Sequence, residues 1–456
     1  MTTIAQQLAQ FTHATRYEDL PPEVVHEAKR RVIDSLGCAL GAYAEEPARI
    51  ARAVAGRAHA DDGATIFGTD FRTAPELAAF ADGVMIRYLD YNDTYLALEP
   101  AHPSDNLAAA LAAAEAAGRS GRDLLVALVI GYEIQCRLCD AASLRVRGWD
   151  HVTYGALSTA LVAGKLFGLD APRLVHALGL AGVPNVALRQ TRVGELSMWK
   201  GCAFANAARN GVFAAVLAQH GLTGPAPLFE GEKGFFRLVS GPFTLPSLGG
   251  PRHPFRILDS YIKFCPAEYH AQSAIEAALL LRPHCPVERI AAITVNSFEV
   301  GVEIIGRDPE KWRPQSRETA DHSLPYLVAV ALMDGAVTAA QFTPERIADP
   351  RLIDLVQRVK VISDPALSAA YPAAMPNELI VRLTDGGEHR LQVDHPKGHP
   401  RRPLTDPELE QKYFEQAQPV LGRERAAALL ERLWAIDRAE SLAAVVGAWR
   451  VPQVAP

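Results

Sequence analysis

The feature that most constrains this fold is a series of long apolar segments with helical spacing in the first half of the chain. The stretch PPEVVHEAKRRVIDSLGCALGA (residues 21–42) repeats apolar residues every three or four positions. The segments SDNLAAALAAAEAAG, GRDLLVALVIGYEIQCRLCDAAS and YGALSTALVAGKLFGL are apolar on most faces. Because such a helix must be buried against other helices, the first half of the chain predicts an all-helical core.

The sequence changes character near residue 245, where LPSLGGPRHPFRI is typical of a linker. Beyond it, IAAITVNSFEV has strand-like alternation, and ELIVRLTDGGEHRLQV predicts a hairpin with its turn at DGG. From about residue 406 the pattern is helical again. We therefore predict a mostly α protein with a ligand cleft between its parts. Its predicted parts are a large all-helical domain (1–258), a smaller α+β lid domain (259–404) and C-terminal helices (405–456) that return to the helical domain.

Bulk properties exclude several classes of function. A chain of 456 residues predicts two domains, and its 49% hydrophobic content indicates a globular protein. The net charge of -6 argues against nucleic-acid binding, which needs a basic surface. The longest apolar run, LLVALVIGY, is too short to span a membrane. The six cysteines are dispersed, and no signal-peptide pattern opens the chain, so we expect a soluble cytoplasmic protein.

One loop concentrates ionisable groups. The stretch LDYNDTYLALEPAHPSDN (residues 89–106) combines acidic residues with Thr94 and His102, and His102 directly precedes a predicted helix start. A helix N-terminus favours anions, so a ligand carboxylate at this place is one interpretation. In the other interpretation, Asp93, Thr94 and Asp105 cap helices and His102 is a surface residue.

A second group of candidates is basic. Arg189, Arg192 and Lys200 lie in ALRQTRVGELSMWKGCAFANAARNG, a segment rich in small residues that let backbones approach closely. A basic side chain in such a segment needs a carboxylate partner or a bound anion. Either an anionic ligand or the nearby Glu195 satisfies this requirement.

Three further segments place histidines near other polar groups. His151 lies in a turn-like stretch between predicted helices, where a purely structural role is the alternative. Lys263 and His270 lie at the predicted domain junction, in YIKFCPAEYHAQSA, and His322 and Tyr326 lie in ADHSLPYLVA. Histidine suits proton transfer because its unperturbed pKa is near neutrality.

Other motifs are missing from the sequence or incomplete. There is no phosphate-binding GxxxxGK[ST], no dinucleotide-binding GxGxxG after a strand and no GxSxG nucleophile turn. The pair in CRLC lacks a second pair of ligands, so no metal site is predicted. The basic stretch DHPKGHPRRP (394–403) is interpreted either as a site segment or as a solvated loop.

Several blocks, in this order, resemble the MmgE/PrpD family, and most closely its 2-methylcitrate dehydratase branch. They are LDYNDTYLALEPAHPSDN, GWDHVTYGA, MWKGCAFANAARNG, FEGEKGFF, KFCPAEYHAQSAIEAA and DHSLPYLVAVAL, and the resemblance runs from about residue 5 to residue 410. It implies a helical domain with a smaller α+β lid, a homodimer, and a cleft site that needs neither metal nor organic cofactor. It also implies that site positions fall on Asp90, Thr94, His102, His151, Lys200, Lys263, His270 and Tyr326.

The resemblance implies dehydration of 2-methylcitrate, or of a similar small di- or tricarboxylate, in propionate catabolism. This reaction needs cations for the carboxylates, a base for the α-proton and an acid for the leaving hydroxyl. We expect the substrate to be bound by Thr94, Arg192, Lys200, Lys263 and His322. We expect the chemistry to be carried by Asp90, His102, His151, His270 and Tyr326. In this hypothesis His102 with Asp90 forms half of the acid–base pair and His151 or His270 the other half, with the order left open.

Three alternatives stay open. The first is another chemistry of the same family, namely cis-aconitate-type decarboxylation or iminodisuccinate-type epimerisation. The loop between Thr94 and His102 is longer than in the decarboxylase, which favours dehydration. The second is a non-catalytic carboxylate-binding protein, and the joint presence of acids, histidines and lysines argues against it. The third is a metal-dependent hydro-lyase.

Overall fold

The computed structural model describes residues 2–452 and is mostly helical, with 57% helix and 9% strand. This confirms the predicted fold class. The first part contains one small antiparallel pair of strands, β1 (Ala64–Thr65) and β2 (Arg72–Thr73). Its helices are α1 (Ile4–Ala14), α2 (Pro22–Gly41), α3 (Glu46–Ala55), α4 (Pro75–Arg87), α5 (Asn106–Ala116), α6 (Gly121–Ala141), α7 (Val152–Leu166), α8 (Ala171–Gly182) and α9 (Trp199–Gln219).

The apolar helices form the centre of this part, as their sequences predict. Residues 106–114 of α5 are all buried, and α7 packs closely against α9. A Cβ at Gly211 of α9 would lie 2.1 Å from the Thr159 hydroxyl oxygen and 2.8 Å from the Ala160 backbone nitrogen of α7. Only glycine therefore permits these two helices to approach so closely.

The second part is an α+β unit around a four-stranded sheet. Its strands are β3 (Ile290–Ser297), β4 (Val359–Ser363), β5 (Asn377–Leu383) and β6 (Glu388–Val393), in the order β4-β3-β5-β6. The predicted hairpin is confirmed, because β5 and β6 pair antiparallel through a tight turn. The helices of this unit are α10 (Gln272–Leu281), α11 (Glu299–Ile305), α12 (Arg317–Ala320), α13 (Leu324–Asp334), α14 (Pro344–Ile347), α15 (Pro350–Gln357) and α16 (Pro365–Ala370).

The chain then returns to the first part through α17 (Asp406–Leu421), α18 (Arg423–Trp434) and α19 (Ala443–Val446). Helix α17 packs along α2, where Tyr413 lies against Gly37. The buried Lys412 ammonium lies 2.6 Å from the Asp34 carboxylate.

Two hydrophobic cores result from this path. The larger core takes residues from the ranges 4–262 and 404–449, and the smaller core takes residues from 265–383. We propose domain boundaries near residues 259 and 404, and this division of the cores supports them. Within residues 2–452, no helix is long and apolar enough to cross a membrane.

Candidate active site

A polar cleft of about 490 Å³ is lined by residues from both the helical part and the α+β unit. Residues 87–196 supply one wall, and residues 263–322 supply the other. A larger cavity, of about 620 Å³, lies elsewhere, around Leu228 and Phe235. Its lining is almost wholly apolar, with Lys233 as the one charged residue, so it lacks groups for acid–base chemistry. The polar cleft is therefore the candidate site.

Asp90 is the centre of the charge network in this cleft. It follows α4 with a left-handed backbone (φ 51°), a conformation that aspartate tolerates better than most residues. Its carboxylate pairs with the Arg87 guanidinium, lies 2.6 Å from the Lys263 ammonium and lies 3.3 Å from that of Lys200. Burial alone raises the pKa of Asp90, but these three cations outweigh it and hold the pKa well below its usual value. The three cations thus favour the charged form of Asp90.

Asp321 extends the network. It lies 2.8 Å from the Lys200 ammonium and 2.6 Å from Nδ1 of His322. Lys200 is buried between Asp90 and Asp321 and does not line the cleft, whereas Lys263 and His322 do. Burial raises the pKa of Asp321, and Lys200 and His322 overcome that effect and lower it.

Asp90, Asp321 and His322 also offer ligand atoms that lie within 4.8 Å of one another. The donor set nevertheless does not suit a metal ion. Both carboxylates are already neutralised by Lys200, Lys263 and Arg87, and a divalent cation there would face those positive charges at close range.

The hydrogen bonds of His102 differ from the predicted pairing with Asp90. Its Nδ1 donates to the Asp93 carbonyl oxygen (2.7 Å), so its Nε2 accepts a hydrogen bond from the Arg87 guanidinium (2.9 Å). Burial and the positive charge of Arg87 hold the pKa of His102 well below its usual value. Both ring nitrogens of this neutral imidazole are occupied, and Arg87 lies where a pairing of His102 with Asp90 was expected. This geometry does not fit the hypothesis that His102 and Asp90 form half of an acid–base pair.

His151 and His270 have the geometry of proton-transfer groups. Nδ1 of His151 lies 2.9 Å from the Asp150 carboxylate, and Nδ1 of His270 lies 2.6 Å from the Glu268 carboxylate. In both residues the other ring nitrogen, Nε2, is buried and has no hydrogen-bond partner. Since both line the cleft, each presents an oriented imidazole with an uncommitted nitrogen.

The loops around these histidines explain their orientation. His151 directly precedes α7, and the Asp150 backbone N–H donates to the Ala187 carbonyl (2.8 Å). His270 precedes α10, and its carbonyl accepts a hydrogen bond from the Asn377 amide of β5 (2.9 Å). Each imidazole is therefore held by a helix start on one side and by a neighbouring segment on the other.

The two carboxylates differ in their other partners. Asp150 also binds Arg192 (3.0 Å), whereas the only ion pair of Glu268 within residues 2–452 is with His270. Burial lowers the pKa of His151; Asp150 opposes this effect, and Arg192 reinforces it. Burial alone raises the pKa of Glu268, but its interaction with His270 outweighs it, so the Glu268 pKa is lowered and its charge is kept.

The remaining predicted residues lie in different places. Thr94 lines the cleft, and its hydroxyl donates to the Ala101 carbonyl (3.0 Å). Tyr326 lies in the smaller core beside Phe342, where its hydroxyl donates to the Gln341 carbonyl. It does not line the cleft, so a direct role for Tyr326 at the substrate does not fit its position.

The structure also bears on two interpretations from the sequence, namely Glu195 as a partner of the nearby basic residues and the stretch 394–403 as part of the site. Glu195 accepts hydrogen bonds from Ser316 and Thr319 and does not pair with the nearby basic residues. The basic stretch 394–403 is tied to the surrounding fold, with Lys397 near Glu408 (2.7 Å) and Arg402 near Glu276 (2.6 Å). None of its residues lines the cleft.

The helix-capping interpretation of the polar loop does not hold for α5. Asp105 precedes α5 but makes no side-chain cap. Its carboxylate instead accepts a hydrogen bond from the Asn92 amide (2.7 Å) and lies 3.9 Å from the Arg87 guanidinium. Asp93 accepts hydrogen bonds from the Ser104 backbone and from the Tyr132 hydroxyl.

Sequence reasoning missed Arg87 and three acids that orient histidines. A signal for these acids exists, because each lies one or two positions before a candidate histidine, in Asp150-His151, Glu268-Tyr269-His270 and Asp321-His322. Arg87 gives no comparable signal, since it ends a mostly apolar helix and adjoins no candidate histidine.

Comparison with known families agrees with this architecture. The MmgE/PrpD N-terminal domain matches residues 6–247, and the MmgE/PrpD C-terminal domain matches residues 265–436. The chain belongs to the MmgE/PrpD family. The cleft of this MmgE/PrpD protein takes its walls from the parts of the chain that the two domain families cover.

Characterised relatives resemble the MmgE/PrpD chain over most of its length. The 2-methylcitrate dehydratase of Cupriavidus necator is 34% identical over 419 residues, which cover 86% of this chain and 85% of the relative. That of Salmonella typhimurium is 32% identical and covers 81% of each chain. The human cis-aconitate decarboxylase is 29% identical and covers 94% of this chain and 91% of the relative.

Proposed function

We propose that this protein is a hydro-lyase that dehydrates 2-methylcitrate or a closely similar citrate-like tricarboxylate. The observation that carries the proposal is the pair of carboxylate-oriented histidines, His151 and His270, which line one cleft with uncommitted Nε2 atoms. Dehydration needs one base and one acid at such a site. The names of the relatives from Cupriavidus necator and Salmonella typhimurium support the substrate.

The partners of the two histidines support different roles for them, with His151 as the base and His270 as the acid. Because Arg192 already balances the charge of Asp150, His151 is best kept neutral and acts as the base. Within residues 2–452 Glu268 forms its one ion pair with His270, so it provides the negative charge that a protonated His270 needs. Nε2 of His151 takes the proton from the carbon next to a carboxylate, and Nε2–H of His270 donates to the hydroxyl on the adjacent carbon. The carbon–oxygen bond breaks, a carbon–carbon double bond forms and water leaves.

The ion network supports this step electrostatically. Removal of the α-proton places additional negative charge on the neighbouring carboxylate, and fixed positive groups stabilise such charge. Arg87 and Lys263 line the cleft as cations held in place by Asp90. We propose that these protein cations supply the stabilisation and that the reaction needs no metal or organic cofactor.

The acid–base assignment predicts an effect of Arg192 on pH dependence. Because Arg192 lowers the pKa of His151, Arg192→Met is expected to raise that pKa. The base acts unprotonated, so the rise of kcat/KM with increasing pH is expected to occur at higher pH in the variant. The measurement is kcat/KM between about pH 5 and pH 8, the range in which histidine titrates.

Arg192→Lys is the matched control, because it keeps a positive charge beside Asp150. Its pH profile is expected to stay close to that of the wild type. An unchanged profile in Arg192→Met, with activity otherwise measurable, would remove His151 as the base.

A second chemistry of the family is supported by the human relative, which is named a cis-aconitate decarboxylase and covers 94% of this chain. Decarboxylation also builds negative charge beside carboxylates, so the same cations would serve it. Product analysis separates the two, because decarboxylation releases CO2 and dehydration releases water.

We also propose a homodimer in the cytoplasm that serves propionate catabolism. Trp199 and Phe213, about four turns apart on α9, are 47% and 49% exposed, respectively. Large exposed apolar side chains often mark a protein interface. Sedimentation equilibrium of the purified protein is expected to give twice the chain mass of 49.3 kDa.

An ultraviolet absorbance assay tests the proposed activity. Purified protein treated with EDTA is offered 2-methylcitrate, citrate and isocitrate in separate reactions. A rise in absorbance from the new conjugated double bond is expected with 2-methylcitrate and is expected to resist the chelator. A folded protein that produces no rise with any of the three would contradict the proposal.

A further inference from the structure

The cations of the cleft fall into two groups. Arg87, Arg192 and Lys263 each pair with a carboxylate of the protein itself. Arg145, Arg189 and Lys311 also line the cleft, but within residues 2–452 their side chains make no hydrogen bond or ion pair with the protein. Each wall therefore carries cations that form no ion pair with the described part of the protein.

Lys311 is the most deeply buried of these three cations, with only 4% of the residue exposed. It lies before α12 in the α+β unit, and burial lowers the pKa of its ammonium group. The carboxylates of Asp308, Asp321 and Glu268 oppose this effect, but within residues 2–452 none of them forms an ion pair with Lys311. A buried cation that lacks such a pair is stabilised when an anion binds it. We therefore expect the Lys311 ammonium group to bind an anionic ligand in the cleft.

Arg145 and Arg189 lie on two turns of the opposite wall that are joined through their backbones. The Arg189 N–H donates to the Gly148 carbonyl (3.0 Å), and Trp149 forms a β-bridge with Leu188. Burial lowers the pKa of Arg189; the carboxylates of Glu99 and Asp150 oppose this effect, and repulsion by Arg145 and Arg192 reinforces it. An anion bound between Arg145 and Arg189 would relieve their mutual repulsion.

Glu99 fixes the backbone of the Arg145 turn. This fully buried residue accepts three hydrogen bonds on one carboxylate oxygen, from the Ser143 hydroxyl (2.9 Å), the Leu144 N–H (2.7 Å) and the Arg145 N–H (3.0 Å). Three such bonds to a charged acceptor hold a turn firmly. Glu99 is thereby placed to set the position of Arg145.

We infer that Arg145, Arg189 and Lys311 bind the carboxylates of the substrate from opposite walls and select tricarboxylates over dicarboxylates, with Glu99 as a positioning residue for Arg145. The inference rests on the proposed function for the identity of the substrate. It assigns binding to the cleft cations that form no ion pair with the protein, whereas Lys200 balances Asp90 and Asp321, and Lys263, paired with Asp90, stabilises the charge that develops in the reaction.

Calorimetric titration with non-reactive ligands tests the inference without turnover. Propane-1,2,3-tricarboxylate and glutarate differ by one carboxylate. Arg145→Gln, Arg189→Gln and Lys311→Met are each expected to weaken tricarboxylate binding about 10- to 100-fold, the loss typical of one charge-assisted hydrogen bond. At least one variant is expected to reduce the preference for the tricarboxylate over glutarate by a similar factor.

Two matched variants control for the general loss of charge. Arg147→Gln removes an exposed arginine from the same turn as Arg145, and Lys360→Met removes an exposed lysine of the α+β unit. Neither residue lines the cleft, so both variants are expected to bind like the wild type. Wild-type affinity in the three cleft variants, an equal loss in the controls, or no binding by folded wild-type protein would overturn the inference.

The two proposals fail in different ways. One outcome is that the wild type binds propane-1,2,3-tricarboxylate, the cleft variants do not, and no hydroxy acid is dehydrated. That outcome would support the inference and contradict the proposed function. If 2-methylcitrate is dehydrated and the cleft variants keep their KM and their affinity for the tricarboxylate, the inference falls alone.

A double-mutant cycle tests Glu99. Glu99→Ala is expected to raise KM about as much as Arg145→Gln with little change in kcat, and the double variant is expected to lose little more, because both act on one contact. Glu99→Gln keeps a side-chain acceptor and is expected to recover part of the affinity. Additive losses, or a fall in kcat alone, would overturn the positioning role.

Discussion

Replacing either His151 or His270 by glutamine is expected to lower kcat by about 10²- to 10⁴-fold, the usual contribution of a positioned acid or base. Each imidazole is oriented by a carboxylate through Nδ1 and presents an unpartnered Nε2 in the cleft. Glutamine keeps a polar side chain but cannot transfer the proton at neutral pH. KM is expected to change only a few-fold, because the cations that hold the substrate are left in place.

His220→Gln is the matched control, since His220 is exposed at the end of α9 and outside the cleft. The double variant of His151 and His270 is expected to be little slower than the worse single variant, because the two groups act in one step. A kcat that survives both substitutions would contradict the proposed chemistry. A larger loss of kcat for His102→Gln than for His151→Gln would indicate that His102 is the base.

Asp90→Asn is expected to destabilise the protein by about 3–5 kcal/mol, the usual cost of leaving buried charges without their partner. The substitution removes the one carboxylate shared by Arg87, Lys200 and Lys263, all of which are buried. Lys200 keeps Asp321, whereas Lys263 keeps no carboxylate within 4.0 Å among residues 2–452. The measurement is urea unfolding monitored by circular dichroism, with comparison of midpoints and slopes.

Two variants sharpen the interpretation of this result. Asp385→Asn removes a partner of Arg289 in an exposed ion pair and is expected to leave the unfolding midpoint close to that of the wild type. Adding Lys263→Met to Asp90→Asn removes an unpaired buried cation and is expected to recover part of the lost stability. An Asp90→Asn protein with the midpoint of the wild type would show that the network does not stabilise the fold.

The main features of the fold could be predicted because they depend on local patterns. The almost entirely apolar segment that becomes α5 has no broad polar face, and the two alternating runs around DGG pair as β5 and β6. Helix starts were predicted less well. Asp105 is a residue type that often caps helices, but its carboxylate interacts instead with Asn92 and Arg87, which precede α5 in the chain.

The candidate site was predicted in part, for the same reason. Histidines are conspicuous in an apolar sequence, so His151 and His270 could be found, and the cleft brings them together. The identity of their partners depends on tertiary packing. Nothing local shows that Arg87 would occupy Nε2 of His102, or that the Tyr326 hydroxyl would face the Gln341 carbonyl within the smaller core.

The packing of α17 on α2 has a consequence for the order of events during translation. The smaller core is built from the uninterrupted range 265–383, and it is complete as soon as that stretch has left the ribosome. The larger core also requires residues 404–449, which are synthesised after the α+β unit. Residues 4–262, which supply the rest of this core, therefore stay partly uncovered until the α+β unit and the closing helices have emerged. Both walls of the candidate cleft, residues 87–196 and 263–322, are synthesised before those helices, so the helical wall gains its full packing only when they have emerged.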